Sequence, residues 1–177
     1  MNPLSGILGA LALFMYVFLY TPLKKVGPIA VFVGAFPGAI PPMLGYVAET
    51  GTFGMIPGIL FAVQFIWQFP HFWSIAWKIQ DDYSKAGYFL LPSRKRDKAS
   101  SMQILLYTLF LIPISLSPYW FGVCGQYAAG VILICGLGIS YYAARLHVTN
   151  DLKDATKLMF STFIYLPIVQ LAYLVSW

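Results

Sequence analysis

Apolar stretches of about 17–25 residues recur along the whole chain, the length an α-helix needs to cross the hydrocarbon core of a bilayer. Six spans are predicted: Leu4–Tyr20, Pro28–Val47, Gly54–Lys78, Ser101–Pro118, Gly122–Arg145 and Thr156–Trp177. Polar surface is too scarce to cover a water-soluble globule. Of the 177 residues, 59% are hydrophobic and 10% charged, where a soluble domain carries about 25% charged residues. A transmembrane β-barrel would show alternating segments of about ten residues, and these runs do not alternate. The expected fold is all-α: a polytopic transmembrane helical bundle, one domain over residues 1–177.

Charge placement orients the spans. Lys24 and Lys25 follow the first. Lys78, Lys85, Arg94, Lys95, Arg96 and Lys98 lie between the third and fourth, and Arg145, Lys153 and Lys157 between the fifth and sixth. The opposite loops, Val47–Phe53 and Tyr119–Gln126, hold only Glu49 as a charge. The positive-inside rule assigns the basic face to the cytoplasm or mitochondrial matrix. Met1 then lies on the outer side with no charged segment before the first apolar run, unlike a signal peptide. This topology predicts that the chain begins midway through a larger protein. The net charge of +5 needs no nucleic-acid partner, because basic residues at span ends attract anionic lipid headgroups by about 1 kcal/mol each. The Arg94–Lys98 cluster reads as topology or lipid contact. Cys124 and Cys135 would be about 16 Å apart on one helix, too far for a disulfide.

The most informative stretch is FPHFWSIAWKIQDDYSKAGYFLLP, Phe69 to Pro92. On a helical wheel, Gln64, Trp67, Gln68, Ser74, Lys78, Asp82 and Lys85 fall within about 60° of His71, with Asp81 just outside. Phe65, Ile66, Phe69 and Phe72 lie opposite. Polar groups at membrane depth face the bundle interior or a water-filled cavity. Interhelical hydrogen bonding accounts for Gln64 and Gln68. His71 follows Pro70, which frees a backbone carbonyl, and reads as a functional residue. Asp81 and Asp82 suit a divalent cation that holds a phosphate group, since Mg²⁺ takes one or two carboxylates plus substrate phosphate oxygens. Adjacent helical residues point about 100° apart, so Asp82 is the expected ligand and Asp81 its outer support; further acids must come from elsewhere. The acidic NDLKD at Asn150–Asp154 reads as helix capping.

These residues also carry a resemblance. WQFPHFWSIAWKIQDDYSKAGYFLLP is similar to the second acidic region of the protoheme IX farnesyltransferase (haem O synthase) branch of the UbiA-type intramembrane prenyltransferases. The pattern W-x-x-P-H-F-W, D-Y-x-x-A-G and L-P is met by Trp67, Pro70, His71, Phe72, Trp73, Asp82, Tyr83, Ala86, Gly87, Leu91 and Pro92. YTPLKKVGPIAVFVGAFPGAIPPMLGY resembles a second family stretch through Tyr20, Thr21, Leu23 and Lys24, then Gly38, Ala39, Pro41, Pro42, Gly45 and Tyr46. Lys25 stands where the branch more often has Arg. Weaker matches follow at Gln103–Thr108 and Lys157–Leu166.

The resemblance implies nine spans, of which these look like the last six, and two aspartate-rich motifs facing each other. The first, N-x-x-x-D-x-x-x-D, is absent from these residues, so this chain alone is expected to lack half of the site. The implied reaction moves a farnesyl group from farnesyl diphosphate to a vinyl group of haem B, giving haem O, with Mg²⁺ as cofactor. Asp82, supported by Asp81, would hold the metal. Lys24, with Lys25 or Lys78, would contact diphosphate or haem propionates. His71 would orient haem, ligate its iron or relay a proton. Trp67, Gln68 and Tyr83 are further substrate-binding candidates, the aromatic ones as a cation-stabilising or porphyrin-stacking wall. Haem A synthase or a terminal oxidase assembly is the implied protein partner, and a bacterial or mitochondrial inner membrane the implied location. Two rival readings are a related quinone-precursor prenyltransferase and a non-catalytic haem-binding or transport membrane protein.

Overall fold

The computed structural model describes residues 2–176. Its helices are α1 (Pro3–Leu23), α2 (Ile29–Thr50), α3 (Met55–Lys78), the short α4 (Gln80–Lys85), α5 (Lys98–Trp120), α6 (Gln126–Thr149) and α7 (Leu152–Ser176). All but α4 are long and apolar enough to cross a membrane. The protein is an all-α integral membrane bundle, with no strand among the described residues.

The helix ends differ from the expected ones where caps decide them. The Asn2 carboxamide oxygen accepts from the Ser5 amide at 2.9 Å, and the Ser5 hydroxyl returns a bond to the Asn2 carbonyl at 2.8 Å, starting α1 at Pro3. The fourth span begins at Lys98 rather than Ser101 because the Asp97 carboxylate accepts from the Ser100 amide at 2.8 Å. The sixth begins at Leu152 rather than Thr156: Asp154 sits in its first turn, where the helix dipole favours a carboxylate. The expected end at Trp177 lies outside the described residues. Cys124 lies before α6 rather than on it, and both cysteines are free.

In α1, Met15–Tyr20 form a widened π turn, and Thr21 bonds back five residues to the Tyr16 carbonyl, its hydroxyl at 2.9 Å. Pro22 accounts for the widening: it lacks an N–H, and its ring clashes with the carbonyl four residues earlier in a regular helix. The turn leaves Tyr16 and Tyr20 neighbouring, with ring centroids 5.1 Å apart.

Helix α3 is the axis of the bundle, packing against α2, α5 and α7. Phe69, Trp73, Trp77, Leu91, Ile104, Leu146 and Leu158 form one buried cluster around its basic end, and Val63, Leu111, Ile132, Tyr165 and Val169 form a second farther along. In the second, the Tyr165 hydroxyl donates to Ser115 Oγ at 2.8 Å and the Tyr173 hydroxyl to the Ser115 carbonyl at 2.7 Å.

Two cations of the Arg94–Lys98 cluster also close helix ends, a role that adds to the reading as topology or lipid contact. Each α-helix leaves its last four carbonyls unpaired. Lys98 Nζ donates to the carbonyls of His147 and Val148 at the end of α6. Arg96 Nε donates to the Trp77 carbonyl at 2.7 Å at the end of α3. Arg94 reaches the Val26 carbonyl, between α1 and α2, at 3.5 Å. In NDLKD, Asn150 closes α6 in the left-handed conformation. The buried Asp154 carboxylate accepts from Thr149 Oγ1 at 2.8 Å and lies 3.6 Å from Arg145 and 3.8 Å from Lys157.

The Asp97 cap is testable. The Ser93 hydroxyl at 2.7 Å, then the Ser100 amide, hold the Asp97 carboxyl below the ordinary carboxylate range. A lowered folded value means that this contribution is complete above about pH 4 and is lost as pH falls through it. Asp97→Ala is expected to destabilise the bundle by about 1 kcal/mol at neutral pH. Denaturant unfolding in detergent checks this; the gap between wild type and variant narrows on acidification below pH 4.

Candidate functional site

One cavity of about 500 Å³ opens between α1, α2 and α3, running from the basic end toward the middle of the bundle. Its interior is apolar, formed by Ala12, Leu13, Val31, Phe72, Ile75 and Ala76. Tyr16 and Tyr20 from α1 and Tyr83 from α4 gather at its basic end, and Gln68 contributes the amide at its inner end.

Two glycines one turn apart on α2 make room for these walls. A Cβ on Gly34 would lie 2.6 Å from the Tyr20 ring, and one on Gly38 would lie 2.1 Å from Gln68 Oε1. The Gln68 amide lies flat against α2 and donates to the Ala35 carbonyl at 3.0 Å and to the Gln64 carbonyl at 3.2 Å. Gly38→Ala therefore displaces this amide and breaks its bond to Ala35, at a net cost of about 1 kcal/mol. The expected result is a lowered unfolding midpoint and weaker binding of a prenyl diphosphate. In the Gln68→Ala background, where the amide and its bond are already gone, Gly38→Ala is expected to lower the midpoint no further.

The mouth carries the charges. Lys24 Nζ stands 4.5 Å from the centroid of the Tyr20 ring and 6.0 Å from that of Tyr16, a cation–π arrangement that places its ammonium beside the opening. Asp82 is exposed next to Tyr83 on α4, and no side chain among the described residues pairs with its carboxylate. Lys25 and Lys78 are exposed around the same end. Asp81 is committed elsewhere: both of its oxygens accept from Arg96 Nη1, at 3.0 and 3.1 Å.

The polar stripe of α3 divides between two neighbours. Gln68 turns to α2 and the cavity, whereas Trp67 and His71 turn to α7. Trp67 Nε1 donates to the Thr162 carbonyl at 2.9 Å, and His71 Nδ1 meets Thr162 Oγ1 at 2.9 Å. That hydroxyl spends its single proton on the Met159 carbonyl at 2.6 Å. The imidazole must therefore donate from Nδ1, leaving Nε2 unprotonated in the neutral ring. His71 also stacks on Trp67 at 4.4 Å and meets Phe163 edge-on at 4.5 Å. Neither Trp67 nor His71 lines the cavity.

The structure thus brings Gln68 and Tyr83 into one cavity, sets Lys24 against the lining rings of Tyr16 and Tyr20, leaves Asp82 next in sequence to Tyr83 but outside the lining, and keeps His71 and Trp67 apart from them. Sequence reasoning missed three contributors. Tyr16 reaches the cavity because of the π turn, for which Pro22 was the available signal. Gly34 shows as a requirement only once the Tyr20 ring is placed. Arg96 lies fifteen residues from Asp81, a pairing that no sequence periodicity encodes.

The UbiA prenyltransferase family profile matches residues 1–166. The chain is 49% identical over 180 residues to the protein named protoheme IX farnesyltransferase of Christiangramia forsetii, covering 99% of this chain and 60% of that one. It is 50% identical over 171 residues to the protein of that name from Cytophaga hutchinsonii, covering 96% and 60%. It spans about 60% of the length of these curated relatives. A solved structure from work on digeranylgeranylglyceryl phosphate synthase in membranes superposes with a TM-score of 0.82 over 99% of this chain and 62% of that one, at 24% identity, a likeness of fold. The chain belongs to the UbiA prenyltransferase family.

Proposed function

We propose that this chain forms part of a site that transfers a farnesyl group from farnesyl diphosphate to a vinyl group of haem B, giving haem O. The observation that carries the reading is the cavity itself: an apolar interior lined by Tyr16, Tyr20 and Tyr83, with the Lys24 ammonium over the Tyr20 ring and the unpaired Asp82 carboxylate next in sequence to Tyr83. The names of the relatives support the choice of haem as acceptor.

The chain's residues suit the tasks in turn. The apolar walls and the Tyr16 and Tyr20 rings accept the prenyl chain and exclude water from it. Lys24, aided by Lys25 and Lys78, attracts the diphosphate to the mouth. The tyrosine faces beside the reacting carbon stabilise the allylic cation that forms as the carbon–oxygen bond breaks. The vinyl carbon of haem B attacks that cation, and water adds to the adjacent carbon with loss of a proton, while diphosphate departs.

An uncommitted carboxylate fits Mg²⁺ as one arm of a site whose other ligands include substrate phosphate oxygens. Asp82 supplies that arm, with Asp81 behind it. Among the described residues no group of three or more His, Cys, Asp or Glu could hold a metal, so the remaining acid ligands come from outside this set. Bound there, Mg²⁺ would neutralise charge on the diphosphate as it leaves. His71, held by Thr162 with Nε2 unprotonated, serves the α3–α7 contact and is available to haem only from that side. The basic end faces the cytoplasm of a bacterial inner membrane, or the matrix. Haem A synthase or a terminal oxidase assembly is the proposed recipient of the product.

Product identity tests the reading. Membranes carrying the protein, expressed from its complete reading frame and given farnesyl diphosphate, Mg²⁺, haem B and a quinone-precursor aromatic acid, are expected to yield a haem heavier by one farnesyl group and one hydroxyl group. A farnesylated aromatic acid with haem unchanged would overturn it.

A further inference from the structure

Helix α4 carries Asp82 and Tyr83, yet it is only six residues long, and among the helices only α3 packs closely against it. A helix that short is marginal on its own. Its direction must be set at the break after α3, where Ile79 leaves the helical conformation with φ −105°. Two side chains tie this break to the following loop, Gln80 from α4 itself and Arg96 from the loop. Gln80 Nε2 donates to the Arg94 carbonyl at 3.0 Å. Arg96 makes the larger set of bonds: Nε to the Trp77 carbonyl at 2.7 Å, Nη2 to the Lys78 carbonyl at 3.3 Å, and Nη1 to both Asp81 oxygens. One planar guanidinium thus ties the last turn of α3 to the first turn of α4.

The anchor is firm at one end. Trp77 is fully buried, and Leu91, in the same loop as Arg96, is buried in the same cluster. The other end is wet, with the Asp81 side chain 75% exposed. Exposed ion pairs contribute little stability. The arrangement therefore matters for direction: the rigid fork of arginine fixes an angle that a lysine ammonium does not. It also separates two adjacent carboxylates, because Asp81 is occupied by Arg96 and Asp82, beside Tyr83 of the cavity lining, is left uncommitted.

We infer that Arg96 is a positioning residue, which uses Asp81 as its handle to hold α4 so that Asp82 alone meets the metal–diphosphate group. This inference rests on the proposed prenyl-transfer site and assigns Asp81 an anchoring role within it.

The test uses the protein expressed from its complete reading frame, in nanodiscs, with Mn²⁺ binding in the presence of inorganic diphosphate followed by electron paramagnetic resonance, without turnover. Misplacing a group by about 1 Å can cost a hundredfold. Arg96→Leu is therefore expected to weaken Mn²⁺–diphosphate binding at least tenfold with the thermal midpoint little changed, and Arg96→Lys to recover part of the loss. Asp81→Asn, which leaves the guanidinium an acceptor, is expected to lose no more than about threefold, whereas Asp82→Asn loses binding altogether. In the Arg96→Leu background Asp81→Asn is expected to add no further loss, as for two ends of one contact. Equal, severe losses from Asp81→Asn and Asp82→Asn would make Asp81 a ligand and overturn the inference, even if Arg96→Leu failed to fold. Wild-type binding by Arg96→Leu would overturn it alone. Wild-type binding by Asp82→Asn would overturn the site as well.

Discussion

Asp82→Ala, made in the protein expressed from its complete reading frame, is expected to lower haem O formation by at least about a hundredfold while leaving the amount of inserted protein unchanged. Asp82 is exposed and its carboxylate makes no ion pair with a described residue, so its loss changes stability by no more than about 0.5 kcal/mol. In the proposed site its value lies in negative charge that holds the metal–diphosphate group, and deleting one well-placed electrostatic group typically costs about 10²–10³ in rate. Product quantified by chromatography, against band intensity in isolated membranes, separates the two effects. Wild-type product levels would remove Asp82 from the mechanism.

Trp77→Ala is expected to have the largest effect on the fold. Trp77 is completely buried where α3 meets Leu91, Ile104, Leu146 and Leu158. Truncating a buried tryptophan to alanine costs about 3–5 kcal/mol, mostly through the cavity left behind. In a bilayer this loss comes from packing, because lipid competes for apolar surface as well as a protein core does. The Trp77 indole N–H has no partner among the described residues, so no hydrogen bond is lost. Trp77→Phe, which refills much of the volume, is expected to recover more than half of the stability. Unfolding in mixed micelles checks both variants. A Trp77→Phe loss as large as that of Trp77→Ala would show that the indole N–H has a partner.

The bundle was legible because the physics that selects it acts on long stretches. Six apolar runs and one-sided charge need no tertiary information, so the spans were placed within a few residues. Their ends were not, since caps depend on single side chains such as Asn2 and Asp97. The site was legible in part. Of the candidates, Gln68 and Tyr83 line one cavity and Lys24 packs on its Tyr20 wall, while Asp82 adjoins Tyr83 in sequence. The wheel put His71 on the same stripe as Gln68, but three residues advance a helix by about 300°. That 60° offset is enough to turn one side chain to α2 and the other to α7. The Arg94–Lys98 cluster showed the opposite limit: its charges were plain, but the carbonyls they close belong to helices distant in sequence.

The central claim is that the cavity between α1, α2 and α3 holds the prenyl chain. It can be tested against a second apolar groove on the other side of α3, lined by Phe32, Phe65, Phe69, Tyr107 and Phe110. A farnesyl diphosphate analogue with a photoreactive group in its chain, irradiated with the membrane-embedded protein and mapped by mass spectrometry, distinguishes the two. Labelling of Tyr16, Phe72 or Ile75, suppressed by unlabelled farnesyl diphosphate, is the predicted result. Suppressible labelling confined to Phe65, Tyr107 or Phe110 would contradict the account.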